Sequence, residues 1–354
     1  PRRRSATDPA AWLTLTFAAA TPPDPLRIAV VGAVVANLVG NATGAANTTE
    51  PSLALGYLLA VLGWLAGTGG YDMFITEWLG KPRPVENQKG FARYFRFNTD
   101  HKVVGVQYLV TFFALLLVGG LFAMLIRAEH MGPTKTIVDA NQYNYIMSMH
   151  GIVMVAVAVA TITGGFANFL VPIMVGAEDV AFPRINALSY WIVPPVAVAL
   201  LAAPLWGGFD AAWTAYPPLS EMNAQGQLLF LMAFITFGFA SILGAVNILT
   251  TVAKLRAPGM TWGRLPIFVW SVFAASIISL TATQFVAAAL FMVVLDRVFG
   301  LSFFNAAHGG KPVLYQHLFW FYSHPAVYIM GLPGFGIILE ILPTFSRKPL
   351  FAYK

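Results

Sequence analysis

The chain has 354 residues, of which 58% are hydrophobic and only 10% are charged, which excludes an ordinary soluble enzyme and indicates a polytopic membrane protein. It contains no cysteine, so disulfides, thiolate-held clusters and cysteine nucleophiles are excluded, and any metal must use nitrogen, oxygen or thioether ligands. The basic residues behind the net charge of +6 fall between apolar runs, where membrane topology explains them, so we expect no nucleic-acid partner.

Apolar runs long enough to cross about 30 Å of hydrocarbon predict an all-α transmembrane helical bundle. Eight spans are predicted, in chain order at residues 27-47, 53-71, 104-127, 143-174, 188-206, 226-252, 265-295 and 314-344. Asparagines interrupt the first span, so a buried or interfacial helix is the alternative there. The charged segment 72-103 is the clearest linker. It separates an N-terminal extension, residues 1-95 with about two spans, from a six-helix body at 96-354.

The distribution of basic residues predicts the orientation. If the N-terminus lies inside, most of the 21 Lys and Arg residues fall in inner segments, and the exceptions are Arg127, Lys135, Arg297 and Lys311. Cytoplasmic loops carry an excess of Lys and Arg, so the N-terminus is predicted to be cytoplasmic.

Two histidines are predicted to lie within apolar helices at similar depth. A rise of 1.5 Å per residue places His150 roughly 10 Å and His324 roughly 15 Å below the outer ends of their spans. An ionisable residue inside a span marks a functional site by default, and neutral imidazole is the commonest metal ligand. The matched depth favours metal or haem ligation; an interhelical hydrogen bond is the alternative for each.

Two other features suggest proton chemistry. Tyr328 follows His324 by four residues, so both side chains are predicted on one helix face, where a phenol beside a metal-ligand imidazole can supply a proton and an electron. Asp179 lies in the inner loop after the fourth span, near Asn168 and Asn186. A carboxylate with amides at a bundle mouth can gather protons for an internal water chain; a merely solvated loop aspartate is the alternative.

Ordered sequence blocks between residues 95 and 354 resemble subunit I of the haem-copper oxidase superfamily. The blocks are TDHKVVGVQYL at 99-109, LIRAEH at 125-130, MHGIVM at 149-154, GGFANFLVPIMVGAEDVAFPRIN at 164-186, WTAYPPLS at 213-220, SILGAVN at 241-247, PIFVWSV at 266-272 and VLYQHLFWFYSHPAVY at 313-328. The predicted helices before residue 95 lie outside this resemblance.

The resemblance implies roles for individual residues. His150 would be an axial ligand of a low-spin haem, and Arg127 would lie near that haem's periphery. His324 would bind copper, with Tyr328 cross-linked to it and Trp320 packed near the copper. The residues implied in proton transfer are Asp179, Asn168, Asn186, Tyr322 and Ser323.

The chain departs from the family pattern in four respects. Ala326 replaces the glutamate of the usual HPEVY motif, and Tyr322-Ser323 resembles the subclass that uses a tyrosine and a serine instead. Residues 155-163 are one residue shorter than the common pattern and lack its proline. The serines that commonly continue the proton pathway in the next helix correspond to about Ala203 and Pro204 here. The other four metal ligands would follow FSRKPLFAYK, so we expect them from a missing C-terminal part of the subunit, with a second polypeptide as the alternative.

The function implied by the resemblance is that of a terminal respiratory oxidase, which reduces O2 to water with electrons from cytochrome c and translocates protons. It implies two haems, one copper ion, a copper-bearing subunit II, subunit III-like chains, membrane lipid, and a multi-pass location in a prokaryotic cytoplasmic membrane. A quinol oxidase, a nitric oxide reductase and a degenerate non-catalytic subunit are the alternatives. Tyr328 argues against the reductase, because many of those enzymes lack the tyrosine.

Overall fold

The computed structural model describes residues 50–70, 90–133, 137–222, 224–351 and 353. Within these ranges the chain is helical without a strand, which confirms the all-α prediction. We label the main helices in chain order α1 (Glu50–Gly67), α2 (His101–Glu129), α3 (Ala140–Ile152), α4 (Val159–Val175), α5 (Pro183–Trp191), α6 (Val193–Ala202), α7 (Gln225–Lys254), α8 (Ile267–Phe299) and α9 (Pro312–Ser346).

In the described ranges, six helical stretches are long and apolar enough to cross a membrane. They are Glu50–Gly67, His101–Glu129, Pro183–Trp206, Gln225–Lys254, Ile267–Phe299 and Pro312–Ser346, and they confirm six of the predicted spans. The span predicted at 143-174 is formed by α3, a π-helical segment Val153–Ala158 and α4. The span predicted at 27-47 lies outside the described residues, as do residues 71–89 of the linker region.

Aspartate caps determine where two of the helices that matter for function begin. The Asp100 carboxylate accepts the backbone N–H of Lys102 at 2.8 Å and starts α2. Asp139 accepts the N–H of Gln142 at 2.9 Å, and the Gln142 side chain accepts the N–H of Asp139 at 3.1 Å, which completes a capping box at the start of α3. These bonds satisfy backbone donors that have no partner within a helix.

Close backbone approach sets the pairing of α8 with α9. A Cβ at Gly336 would overlap the Ser271 side chain and lie 3.0 Å from the Cα of Phe268, so only glycine allows this contact. The Glu340 carboxylate then accepts the backbone N–H of Phe268 at 3.2 Å, which satisfies a first-turn donor of α8. The two helices therefore run antiparallel, with the C-terminal part of α9 beside the start of α8.

The helix of the N-terminal extension is an integral part of the bundle. Helix α1 packs against α6, α7 and α8. The Trp64 indole N–H donates to the Trp191 carbonyl at 3.0 Å, and the Glu50 carboxylate pairs with the guanidinium of Arg297 near the outer end of α8. One hydrogen bond and one ion pair therefore hold α1 at its two ends.

Candidate functional site

His150 lies in the last turn of α3, immediately before the π-helical segment. Its Nδ1 lies 2.9 Å from the Gly119 carbonyl oxygen on α2, and its side chain is half-buried. When Nδ1–H donates to this carbonyl, the Nε2 lone pair is left for a metal, and the ring orientation is fixed. A metal-ligating histidine is typically held by a hydrogen bond of this kind.

The contact between α2 and the π-helical segment depends on the absence of a side chain at Gly119. A Cβ there would lie 2.6 Å from Sδ and 2.8 Å from Cγ of Met154, closer than any normal contact. The neighbouring Gly120 has open space at the equivalent position. Gly119 therefore brings its carbonyl within reach of His150.

His324 and Tyr328 lie side by side on α9, as the four-residue spacing predicted. Nε2 of His324 is 2.9 Å from the Tyr328 hydroxyl, and the two ring centroids are 4.8 Å apart. In the tautomer with a hydrogen on Nε2, that hydrogen is donated to the phenolic oxygen, and the Nδ1 lone pair is left for a metal. Both side chains are exposed on the described bundle.

An aromatic cluster joins the two histidine regions. The Trp320 indole N–H donates to the Tyr216 hydroxyl, and Trp320 packs edge-on against Trp213 at a centroid distance of 5.9 Å. On its other side, Trp213 covers Gly151, where a Cβ would lie 3.2 Å from the tryptophan ring. Gly151, which follows His150, and Trp320, which precedes His324 by four residues, thus both contact Trp213.

The described residues supply one imidazole to each predicted metal site. No group of three or more His, Cys, Asp or Glu side chains converges on a possible metal position within them. Arg127, predicted near a haem, has an exposed side chain two turns beyond Gly119, toward the outer end of α2. Its role near a haem stays a prediction.

The loop that carries Asp179 is anchored to the inner end of α7. Thr251 and Asn247 side chains accept the N–H groups of Ala181 and Phe182 at 2.9 Å and 2.8 Å. The loop's first residue, Gly176, has a φ of 74° and lies against Ala257, so a side chain would be both strained and obstructed there. The loop geometry is thereby fixed at the end of the bundle where α4 and α7 terminate.

Asp179 is half-buried and lies beside the start of α2. Burial raises the pKa of Asp179, although hydrogen bonds from the backbone of Val180 and His101 and the charge of His101 partly oppose this. The Val180 N–H donates to the carboxylate at 2.7 Å. A raised pKa lets this carboxylate bind a proton at a higher pH than a solvated aspartate does.

The side chain of His101 links the start of α2 with Asn168. Nδ1 of the buried His101 lies 2.8 Å from the Asn168 carbonyl oxygen on α4. The Asn168 amide donates to Gly164 at 2.8 Å, and its buried Oδ1 has no hydrogen-bond partner within the described protein. Such an atom indicates a bound water, since buried polar atoms are nearly always paired.

A cavity of about 110 Å³ opens beside Asn168, between α2, α4, α7 and α8. A water molecule needs roughly 10 to 15 Å³ of such volume, so several waters fit. The polar residues of its wall include Tyr108, Asn168, Ser241, Ser276 and Ser279. The cavity wall is mostly apolar, so these polar side chains are the positions at which it can bind water.

Of the other predicted proton residues, Asn186 is linked to the cavity by hydrogen bonds, whereas Tyr322 and Ser323 lie on α9 outside the cavity lining. The buried Asn186 has an Nδ2 without a hydrogen-bond partner among the described residues, and its carbonyl accepts the Ser189 hydroxyl at 2.7 Å. Ser189 in turn lies 3.0 Å from the hydroxyl of Tyr108, which lines the cavity. On α9, Ser323 is buried with its hydroxyl unpartnered, and the adjacent Tyr322 is half-buried against the core.

The sequence did not assign a role to four residues that form contacts around the site: Gly119, Trp213, Tyr216 and His101. Trp213 and Tyr216 belong to the WTAYPPLS block, whose aromatic content was the available signal. His101 appeared to be an ordinary span-end histidine. Nothing in the local sequence distinguishes Gly119 from Gly120.

Comparison with known proteins agrees with this architecture. Residues 103–354 match the family described as "Cytochrome C and Quinol oxidase polypeptide I". Cytochrome c oxidase subunit 1 of Thermostichus vulcanus is 48% identical over 263 residues, which are 74% of this chain and 48% of that protein. The Synechocystis sp. protein of the same name is 45% identical over 268 residues, 75% of this chain and 49% of that protein. A probable cytochrome c oxidase subunit 1-alpha of Streptomyces avermitilis is 46% identical over 261 residues, 72% of this chain and 45% of that protein.

This chain thus spans about half the length of the curated relatives it matches. The family match covers the whole body from α2 to α9 and includes both histidine sites and the Asp179 loop. The chain is a multi-pass membrane protein and belongs to the cytochrome c and quinol oxidase polypeptide I family, the subunit I family of the haem-copper oxidases.

Proposed function

We propose that this chain is part of the catalytic core of a terminal respiratory oxidase that reduces O2 to water with electrons from cytochrome c and translocates protons. The observation that carries the proposal is the pair of imidazoles, each with one ring nitrogen hydrogen-bonded and the other available. The relatives named cytochrome c oxidase support the electron donor. Quinol is the alternative donor that the family description allows.

The described residues fit two of the three groups that this function requires, with one ligand for the low-spin haem and one for the copper ion. His150 would hold the low-spin haem through Nε2, and Arg127 and Trp320 would lie at the peripheries of the metal sites. His324 would hold copper through Nδ1, while Tyr328 supplies a hydroxyl at 2.9 Å as proton donor. When bound, the haems and copper carry out the electron transfer and oxygen chemistry. The remaining ligands would come from further polypeptide beside the exposed face of α9.

The proposed proton route starts at Asp179 on the cytoplasmic side. Its raised pKa favours proton binding, and the fixed loop keeps it next to His101 and Asn168. Waters in the cavity would carry the proton from Asn168 and Asn186 toward Ser323 and Tyr322. Hydroxyl groups can pass protons along a water chain without holding a charge, so this route operates with an alanine at position 326.

We infer that residues 1-95 form an extension of the catalytic body at 96-354. The packing of α1 on α6, α7 and α8 supports this, since the extension's helix contacts the body directly. In the proposed assembly the chain lies in a prokaryotic cytoplasmic membrane with a copper-bearing subunit II and subunit III-like chains. Each proton moved against 100 mV costs about 2.3 kcal/mol, which the strongly downhill reduction of O2 supplies.

The test is oxygen consumption by the purified complex that contains this chain, driven by reduced cytochrome c or by a quinol. Cytochrome c oxidation that consumes O2, and that is lost in His324→Ala, would support the proposal. The control is His308→Ala, a change to an exposed outer-loop histidine, which should leave turnover unchanged. A folded complex that reduces nitric oxide but not O2, or neither, would contradict it.

A further inference from the structure

Helix α8 carries buried hydroxyl groups along one face. Ser276, Ser279 and Thr283 follow each other at intervals of three and four residues, so they lie on one side of the helix. All three are buried, with Thr283 only 1% exposed. Ser276 and Ser279 line the cavity that adjoins Asn168. A hydroxyl row on a long apolar helix is therefore turned toward the interior of the bundle.

Two of these hydroxyls donate their hydrogen to a backbone carbonyl of α8, which fixes the direction of the O–H bond. Ser276 donates to the Val272 carbonyl at 2.8 Å, and Thr283 donates to the Ser279 carbonyl at 2.7 Å. A hydroxyl that donates to its own helix keeps its oxygen lone pairs for a further partner. Ser276 lines the cavity, where its lone pairs can accept hydrogen bonds from water, and Thr283 lies one turn beyond Ser279, outside the cavity lining.

The row also leads toward the buried serine of α9. The rings of Phe285 and Phe321 pack at a centroid distance of 4.3 Å, which fixes the level at which the antiparallel helices α8 and α9 meet. Thr283 precedes Phe285 by two residues on α8, and Ser323 follows Phe321 by two residues on α9. Because the helices are antiparallel, Thr283 and Ser323 lie on the same side of the ring contact and at a similar depth. The Ser323 hydroxyl is buried without a hydrogen-bond partner among the described residues.

We propose that Ser276, Ser279 and Thr283 of α8 order the water chain that carries protons from the cavity toward Ser323. The inference rests on the proposed oxidase function and adds residues to its proton route. The three are positioning residues: they hold waters in place, and protons move along those waters by exchange of O–H bonds. From Ser276 to Thr283 the helix rises about 10 Å, a distance that two or three bridging waters cover.

The experiment uses the complete oxidase complex reconstituted in lipid vesicles. The double variant Ser279→Ala/Thr283→Val removes two hydroxyls with little change in volume. Thr281→Val is the matched control, because Thr281 is exposed on the same helix and donates only to the carbonyls of Ile277 and Ile278. The double variant should slow proton uptake from the inner side about tenfold, the effect expected when the water chain loses the equivalent of one hydrogen bond. Haem spectra should stay unchanged, and the control should behave as the wild type.

Asp179→Asn, measured in parallel, separates this inference from the proposed function. If Asp179→Asn slows inner-side proton uptake but the double variant matches the control, the role of α8 is refuted and the route remains. If Asp179→Asn also has no effect, the inner route itself is wrong. Should the double variant fail to fold, Ser276→Ala replaces it.

A second readout does not depend on turnover. A high-resolution density map of the wild-type complex should show ordered waters within hydrogen-bond distance of Ser276 and Ser279. A cavity without water at these two hydroxyls would overturn the inference.

Discussion

A single methyl group at Gly119 should disturb the His150 site. The ideal Cβ position lies 2.6 Å from Sδ and 2.8 Å from Cγ of Met154, whereas a relaxed contact needs about 3.8 Å. Relief requires the Met154 side chain to move aside, or α2 to separate from the π-helical segment by about 1 Å. A separation of that size would stretch the 2.9 Å bond between His150 Nδ1 and the Gly119 carbonyl beyond hydrogen-bond distance.

The cost of Gly119→Ala can be worked out from two contributions. Overpacking of a tight helix contact costs about 1 to 3 kcal/mol, and loss of the hydrogen bond adds about 1 kcal/mol. We therefore expect a lower thermal unfolding midpoint together with a shifted low-spin haem spectrum, because the imidazole loses its orientation. The chain also offers a control, Gly120→Ala, which has open space around the added methyl group and should change neither quantity.

A compensating change tests the mechanism itself. Met154→Ala removes the atoms that the added methyl group would strike, so the double variant Gly119→Ala/Met154→Ala should recover the haem spectrum. The assay is a reduced-minus-oxidised spectrum and a thermal melt on each purified complex. A normal spectrum and melt for Gly119→Ala alone would refute the reasoning, as would a double variant that is no better than the single one.

Three further predictions concern other contacts. Arg297→Gln removes a guanidinium whose side chain is 1% exposed and breaks its pair with Glu50, so it should cost about 2 kcal/mol of stability, measured by thermal unfolding. Glu50→Gln should cost less, because the arginine keeps its carbonyl acceptors. Burial and the neighbouring Asp296 carboxylate raise the pKa of Glu221. The protonated Glu221 side chain therefore contributes stability below the ordinary carboxyl pKa, and this stability is lost as the pH rises through the raised pKa. Relative to Glu221→Gln, the wild type should thus melt at progressively lower temperature as pH rises, and parallel melting curves would contradict this. Tyr328→Phe removes the hydroxyl 2.9 Å from His324 and should lower O2 reduction about 100-fold or more with the low-spin haem spectrum unchanged; wild-type turnover would be the contrary result.

Features set by local sequence could be predicted, and those set by packing could not. The helices followed from the length of apolar runs, and the contact of His324 with Tyr328 followed from helix periodicity alone. The bond from His150 to Gly119 joins residues 31 positions apart, and that from His101 to Asn168 joins residues 67 apart. Such contacts depend on how helices approach each other, which single-residue patterns do not encode.

The resemblance identified the residue types of the proton route, and the structure added what lies between them. Asp179 and Asn168 were expected at the inner mouth, but the histidine that joins their two segments was not. The serines on α8 escaped notice because a hydroxyl in an apolar helix is ordinarily satisfied by its own backbone. Their position in the cavity wall became clear only from the packing of α8 against α7 and α4.

The proposed oxidase core requires that His150 hold a haem. The most direct measurement is the reduced-minus-oxidised and carbon monoxide difference spectrum of the purified complex, with its iron and copper content. We expect two haems, one of which binds carbon monoxide, and one copper per complex, with the low-spin signal lost in His150→Ala and retained in His308→Ala. A folded complex without haem, or one whose low-spin signal survives His150→Ala, would contradict the account.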